Sequence, residues 1–104
     1  MIRLRQDGPL AVWGAGAKGV AFLNVLDPDA SLVETVIDIN PRKQGGFVPG
    51  TGHPIHGVDG LREAGTSSVL VMNPGYAAEC RGMALDRVGH VRVLDIDDLL
   101  GGST

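Results

Sequence analysis

Residues 12 to 19 read Val-Trp-Gly-Ala-Gly-Ala-Lys-Gly, so Gly14, Gly16 and Gly19 form G-x-G-x-x-G. An apolar run, Pro9 to Trp13, precedes the motif, and a helical pattern follows it. Strand, tight turn and helix in that order form the junction where a doubly wound α/β fold lays a pyrophosphate on a helix N-terminus. The first glycine permits the turn, the second admits a phosphate to the backbone, and the third lets helix and sheet pack closely.

A chain of 104 residues is expected to be one domain, 1–104, with a charged lead-in over 1–8 and a loose tail over 101–104. It is long enough to bury a modest core. It is too short for both halves of a complete dinucleotide fold plus a catalytic domain. A net charge of −3 provides no basic stripe, which argues against nucleic acid as a partner. No apolar run reaches membrane-spanning length and no signal peptide is visible, so no membrane partner and a cytoplasmic location are expected. The single cysteine, Cys80, excludes an internal disulfide. Three scattered histidines and one cysteine do not make a metal pattern.

The apolar pattern predicts strands at Leu10–Trp13, Val33–Ile39, Pro54–His56, Ser68–Met72 and Val91–Ile96. Helices are predicted over Ala17–Leu26, Val58–Ala64 and Tyr76–Val88, with a last helical turn at Asp97–Leu100. Val20, Leu23, Phe22 and Leu26 form the sheet-facing stripe of the first helix, which Asp27-Pro28 ends. Val33, Val36, Ile37 and Ile39 are too dense for a one-sided strand, which implies burial on both faces. Alternating strands and helices predict an α/β fold: a single Rossmann-like three-layer domain with a mainly parallel sheet of four or five strands, order 3-2-1-4-5.

Asp38 stands nineteen positions past Gly19, at the end of the second strand. An acidic residue there accepts hydrogen bonds from ribose hydroxyls in dinucleotide folds. It equally suits a cap for the following loop or a partner for Arg42 or Lys43. Lys18 is either an extra positive charge for a phosphate or a solvated lysine on the first helical turn. The stretch Asp38 to Gly45 and its continuation Pro49-Gly50-Thr51-Gly52-His53-Pro54 are placed at the carboxyl edge of the sheet, where open α/β folds bind ligands. A structured turn would account for the same glycines and prolines. Asn73-Pro74-Gly75-Tyr76 falls on that edge too, with Tyr76 packing as the first helical residue or stacking on a base or sugar. His53 and His56 lack the companions a metal site needs, and Cys80 reads as a small core residue. No nucleophile–base–orienter set is visible.

Several of these motifs resemble, in order, one family. Trp13-Gly14-Ala15-Gly16-Ala17-Lys18-Gly19, Asp38-Ile39-Asn40-Pro41-Arg42-Lys43-Gln44-Gly45, Pro49-Gly50-Thr51, Pro54-Ile55 and Met72-Asn73-Pro74 are similar to the C-terminal domain of SAM-dependent C-methyltransferases, including those acting on nucleotide-linked deoxysugars. The resemblance runs from about Pro9 to Ile96. It implies a zinc-binding N-terminal domain and a central SAM-binding domain elsewhere, with substrate held between the last two domains. This chain carries neither, so the resemblance implies a substrate-side module, excised or free-standing, with no catalytic residue and no cofactor of its own. SAM is expected in an associated methyltransferase domain, in cis or in trans.

The resemblance further implies that Gly14, Ala15, Gly16, Ala17, Lys18 and Gly19 face a substrate cleft together with Asp38, Asn40, Lys43, Gln44 and Gly45. Pro49, Gly50, Thr51, Asn73 and Tyr76 complete the expected binding surface for a nucleotide-sugar or similar small molecule. Two other classes stay open: a small NAD(P)- or nucleotide-binding module, and an interaction domain that keeps its glycines for packing alone.

Overall fold

The computed structural model describes residues 8–89 and 91–96. Five strands form one sheet: β1 (Leu10–Trp13), β2 (Val33–Ile37), β3 (Ile55–His56), β4 (Ser68–Val71) and β5 (Arg92–Asp95). Their order is β3-β2-β1-β4-β5, and every neighbouring pair is parallel. Three helices connect them: α1 (Ala17–Leu26), the single turn α2 (Gly60–Glu63) and α3 (Ala77–Arg87). The expected fold class and strand order are both found.

Parallel strands need crossovers, and the crossovers cover both faces of the sheet. All four residues of β1 and of β4 are therefore buried. Alternate residues enter two apolar layers. Leu10, Val12, Val36 and Leu70 join Leu23 of α1, together with Val48 and Ile55. Ala11, Trp13, Val69 and Val71 join Leu61 of α2 and Cys80 and Ala84 of α3. The β1–β2 register slips by one residue between Leu10 and Ala11, which is how Val33 and Val36 come to share a layer.

Several predicted boundaries move inward. β2 stops at Ile37 and not at Ile39, because Asp38 turns to bond the backbone of two loops. Ile39 consequently lies 60 % exposed, contrary to the two-faced burial expected of it. The predicted helix at 58–64 contracts to one turn. The helix expected from Tyr76 begins as a 3-10 turn, Pro74–Tyr76, before α3 proper. In α1 only Gly19 and Leu23 are buried, while Val20, Phe22 and Leu26 are half-buried. The lead-in over 1–7, the turn at Asp97–Leu100 and the tail at 101–104 lie outside the described residues. No helix among the described residues is long and apolar enough to cross a membrane.

Candidate functional site

Since all strands run the same way, β1, β2 and β4 end at one edge of the sheet, and a cleft of about 640 Å³ opens there. One wall is the glycine turn, through Gly14, Gly16, Ala17, Lys18 and Gly19. The opposite wall comes from the β4–α3 connection and one face of α3. Asp38 and Ile39 close the end beside β2.

The three glycines have separate jobs. Gly14 ends the β1–β2 ladder with its N–H 2.7 Å from the carbonyl of Ile37, and its φ of +123, a conformation open to glycine, turns the chain that follows. Gly19 lies under Gly14: a Cβ there would sit 1.9 Å from the Gly14 carbonyl oxygen. Gly16 is different. Its φ of −79 suits any residue, and a Cβ would meet no atom within 4 Å. Gly16 is also the N-cap of α1, and no side chain of the described residues caps that helix. The first-turn N–H groups have no acceptor within the helix, and the partial positive charge of the helix end favours an anion beside them. Lys18, exposed on that turn, adds a full charge to the cleft wall.

Asp38 does the structural work of a cap. Its Oδ2 accepts from the Ala15 N–H at 2.9 Å, and its Oδ1 accepts from the Asn40 N–H at 2.9 Å. Each oxygen keeps a further lone pair, and the residue lines the cleft. The expected ion-pair alternative with Arg42 or Lys43 is not what the geometry shows: Lys43 Nζ donates to the Ala15 carbonyl at 3.3 Å.

Of the sixteen residues expected to face the ligand, Gly14, Gly16, Ala17, Lys18, Gly19, Asp38, Asn73 and Tyr76 line the cleft. Ala15 does not, since it is buried in the layer facing α1. Asn40, Lys43, Gln44 and Gly45 also lie off the lining, folded into a turn behind the glycine loop. In it Gln44 Nε2 donates to the Asp38 carbonyl, and the Gly45 N–H to that of Ile55.

Pro49, Gly50 and Thr51 do not continue the carboxyl edge. They lie against the flank of α1, where Asn24 Nδ2 donates to the Pro49 carbonyl. The segment is drawn there by a buried polar cluster. His53, fully buried, meets Asp27 Oδ2 through Nε2 at 2.8 Å and the Thr51 hydroxyl through Nδ1. Asp27 also accepts the N–H groups of Ser31, Leu32 and Val33. Burial pushes the Asp27 carboxyl up, but the Val33 N–H, the His53 ring and the other two N–H groups outweigh it and hold the group below its ordinary value. An ionised Asp27 only accepts, so Nε2 carries a proton, and in the neutral ring Nδ1 accepts from Thr51. Among the described residues no group of three His, Cys, Asp or Glu could hold a metal ion.

The cleft is lined also by Ile39 of the Asp38-to-Gly45 loop, and by residues that the motifs did not single out as ligand-facing: Trp13, Val71, Met72, Glu79, Cys80 and Met83. Tyr76, Glu79, Cys80 and Met83 recur at helical spacing, the signal that places them on one face of α3 and its leading turn. Cys80 is buried, and burial followed by the neighbouring Glu79 pushes its thiol up to about 11, which leaves it a protonated wall residue.

Residues 1–85 match the family described as the C-methyltransferase C-terminal domain. No curated protein matches the chain in sequence. Among solved structures, UDP-D-quinovosamine 4-dehydrogenase from Vibrio fischeri is similar at 22% identity and a TM-score of 0.64, over 93% of this chain and 86% of that one. The Rex-family repressor RSP is similar at 20% identity and a TM-score of 0.60, over 91% of this chain and 56% of the repressor. RSP in complex with β-NADH gives 19% identity and a TM-score of 0.58, with 57% of that chain covered. The chain thus spans little more than half the repressor's length. At these identities the likeness is one of fold.

Proposed function

Because the chain belongs to the C-methyltransferase C-terminal domain family, we propose that its cleft binds a nucleotide-linked sugar on which an associated SAM-dependent methyltransferase domain acts. One observation carries this reading: a cleft of about 640 Å³ at the carboxyl edge of the sheet, with the uncapped first turn of α1 and Lys18 on one wall. The volume falls within the range usual for small-molecule sites. The positive wall suits a diphosphate. The apolar side chains of Tyr76 and Met83 opposite it, and of Ile39 at the end beside β2, suit a ring. In this reading the domain binds and orients the sugar, and methyl transfer, with SAM as donor, takes place on residues of the associated domain. The dehydrogenase of similar fold acts, by its name, on a UDP-sugar, which accords with this ligand class.

A second reading, an NAD-type module, draws on Asp38 beside the glycine turn and on the fold shared with a repressor solved with β-NADH. Titrating the ¹⁵N-labelled chain with a dTDP-sugar, a UDP-sugar, NAD⁺ and SAM separates the readings. Saturable shifts of the Gly14–Gly19 and Asn73–Tyr76 amides with a nucleotide-sugar are expected. Preference for NAD⁺ would favour the second reading, and silence with every ligand would leave an interaction domain. Gly16→Val puts a branched side chain into open space on the cleft wall. It is expected to weaken the nucleotide-sugar more than about tenfold, or about 1.4 kcal/mol. Unchanged affinity would remove the phosphate from this wall.

A further inference from the structure

Ala15 is held at both ends of its backbone by one neighbouring loop. Its N–H donates to Asp38 Oδ2 at 2.9 Å, and its carbonyl accepts from Lys43 Nζ at 3.3 Å. The holding residues are themselves tied together. Gln44 Nε2 donates to the Asp38 carbonyl at 2.9 Å, the Asn40 N–H to Asp38 Oδ1, and the Lys43 N–H to the Asn40 carbonyl. Gly45 then anchors the loop to the sheet through the Ile55 carbonyl. Lys43 and Gln44 do not line the cleft.

From this arrangement we propose that Lys43 and Gln44, through Asp38, are positioning residues that brace the glycine turn and hold its N–H groups toward the cleft before any ligand arrives. The physical need is plain. Between β1 and α1 the chain has two glycines in three residues, Gly14 and Gly16, and glycine backbones lose the most freedom on ordering. A turn left loose would be ordered at the expense of ligand affinity, and a turn already held avoids that loss. Lys43, a half-buried residue, places its ammonium 3.3 Å from a carbonyl just before the cap of α1, a long charge-assisted contact. The Asp38-to-Gly45 sequence thereby supports the site from behind, with Asp38 and Ile39 at its start reaching the cleft.

The brace rests on the cleft reading only where ligand affinity is measured, so the test has two arms. Amide hydrogen exchange is first followed in the unliganded protein and in Lys43→Met, Gln44→Met and Lys43→Arg. In both methionine variants the Ala15–Gly19 amides are expected to exchange about tenfold faster, with Val12 and Leu70 in the central strands unchanged. Lys43→Arg, which keeps a donor, is expected to restore protection. UDP is then titrated. The methionine variants are expected to bind about tenfold more weakly, whereas Lys18→Met weakens binding without touching exchange. Unchanged exchange at Ala15 and Gly16, acceleration spread evenly over the sheet in both methionine variants, or faster exchange with full UDP affinity would each overturn the brace. A wild-type chain that ignores UDP counts against the cleft reading, and the exchange arm still decides the brace.

Discussion

Gly16 and Gly19, three positions apart in one motif, answer to different physics. At Gly19 an added methyl group would collide with the Gly14 carbonyl at 1.9 Å, and backbone cannot yield as a side chain tip can. Gly19→Ala must push α1 off the sheet, and a loss of at least about 2 kcal/mol is expected. Gly16→Ala meets open space at an ordinary φ, so its stability is expected to stay within about 0.5 kcal/mol of the wild type. Urea denaturation of the two variants reads this contrast directly, and equal losses would mean that both glycines serve packing. All three glycines were legible in the sequence. Their division of labour was legible too; how tightly Gly19 meets the Gly14 carbonyl was not, because that depends on how the helix packs on the turn. Asp38 shows the same limit: its position was readable, but its bond to Ala15 required knowing how β1 and β2 align.

Between elements, the most consequential feature was the least readable. Asp27 closes α1, three N–H groups at the approach to β2 converge on it, and His53 ties it to the loop before β3. One carboxylate thus joins three segments, and nothing local in the sequence connects Asp27 to a histidine far along the chain. This cluster accounts for where Pro49-Gly50-Thr51 lies. Folding lowers the Asp27 pKa, so the unfolded chain takes up the proton first. The stability that Asp27 supplies is full above about pH 4 and drains away as pH falls through the folded value. Asp27→Asn is expected to cost about 3 kcal/mol at neutral pH, because it strands buried donors. It is also expected to flatten the decline in stability between pH 5 and pH 3. Thermal melts across that range check both; a variant as acid-sensitive as the wild type would contradict the assignment.

For the molecule as a whole, five parallel strands with helices on both faces fold as a unit, so ligand bound at one edge stabilises all of it. At a hundredfold excess over its dissociation constant, a nucleotide-sugar is expected to add about 2.7 kcal/mol. For a chain of this size that raises Tm by on the order of 10 °C. A melt unmoved by saturating ligand would mean that the ligand binds the unfolded chain equally well or does not bind. The α/β class, the strand order and the glycine turn could all be read from residue order. They rest on short-range periodicity and on the handedness of crossovers, which are local physics. The cleft's second wall, the brace behind Ala15 and the Asp27–His53 cluster arise from residues more than twenty positions apart. Their encounter depends on strand register and on how closely each helix packs, and those are settled when the chain closes its core.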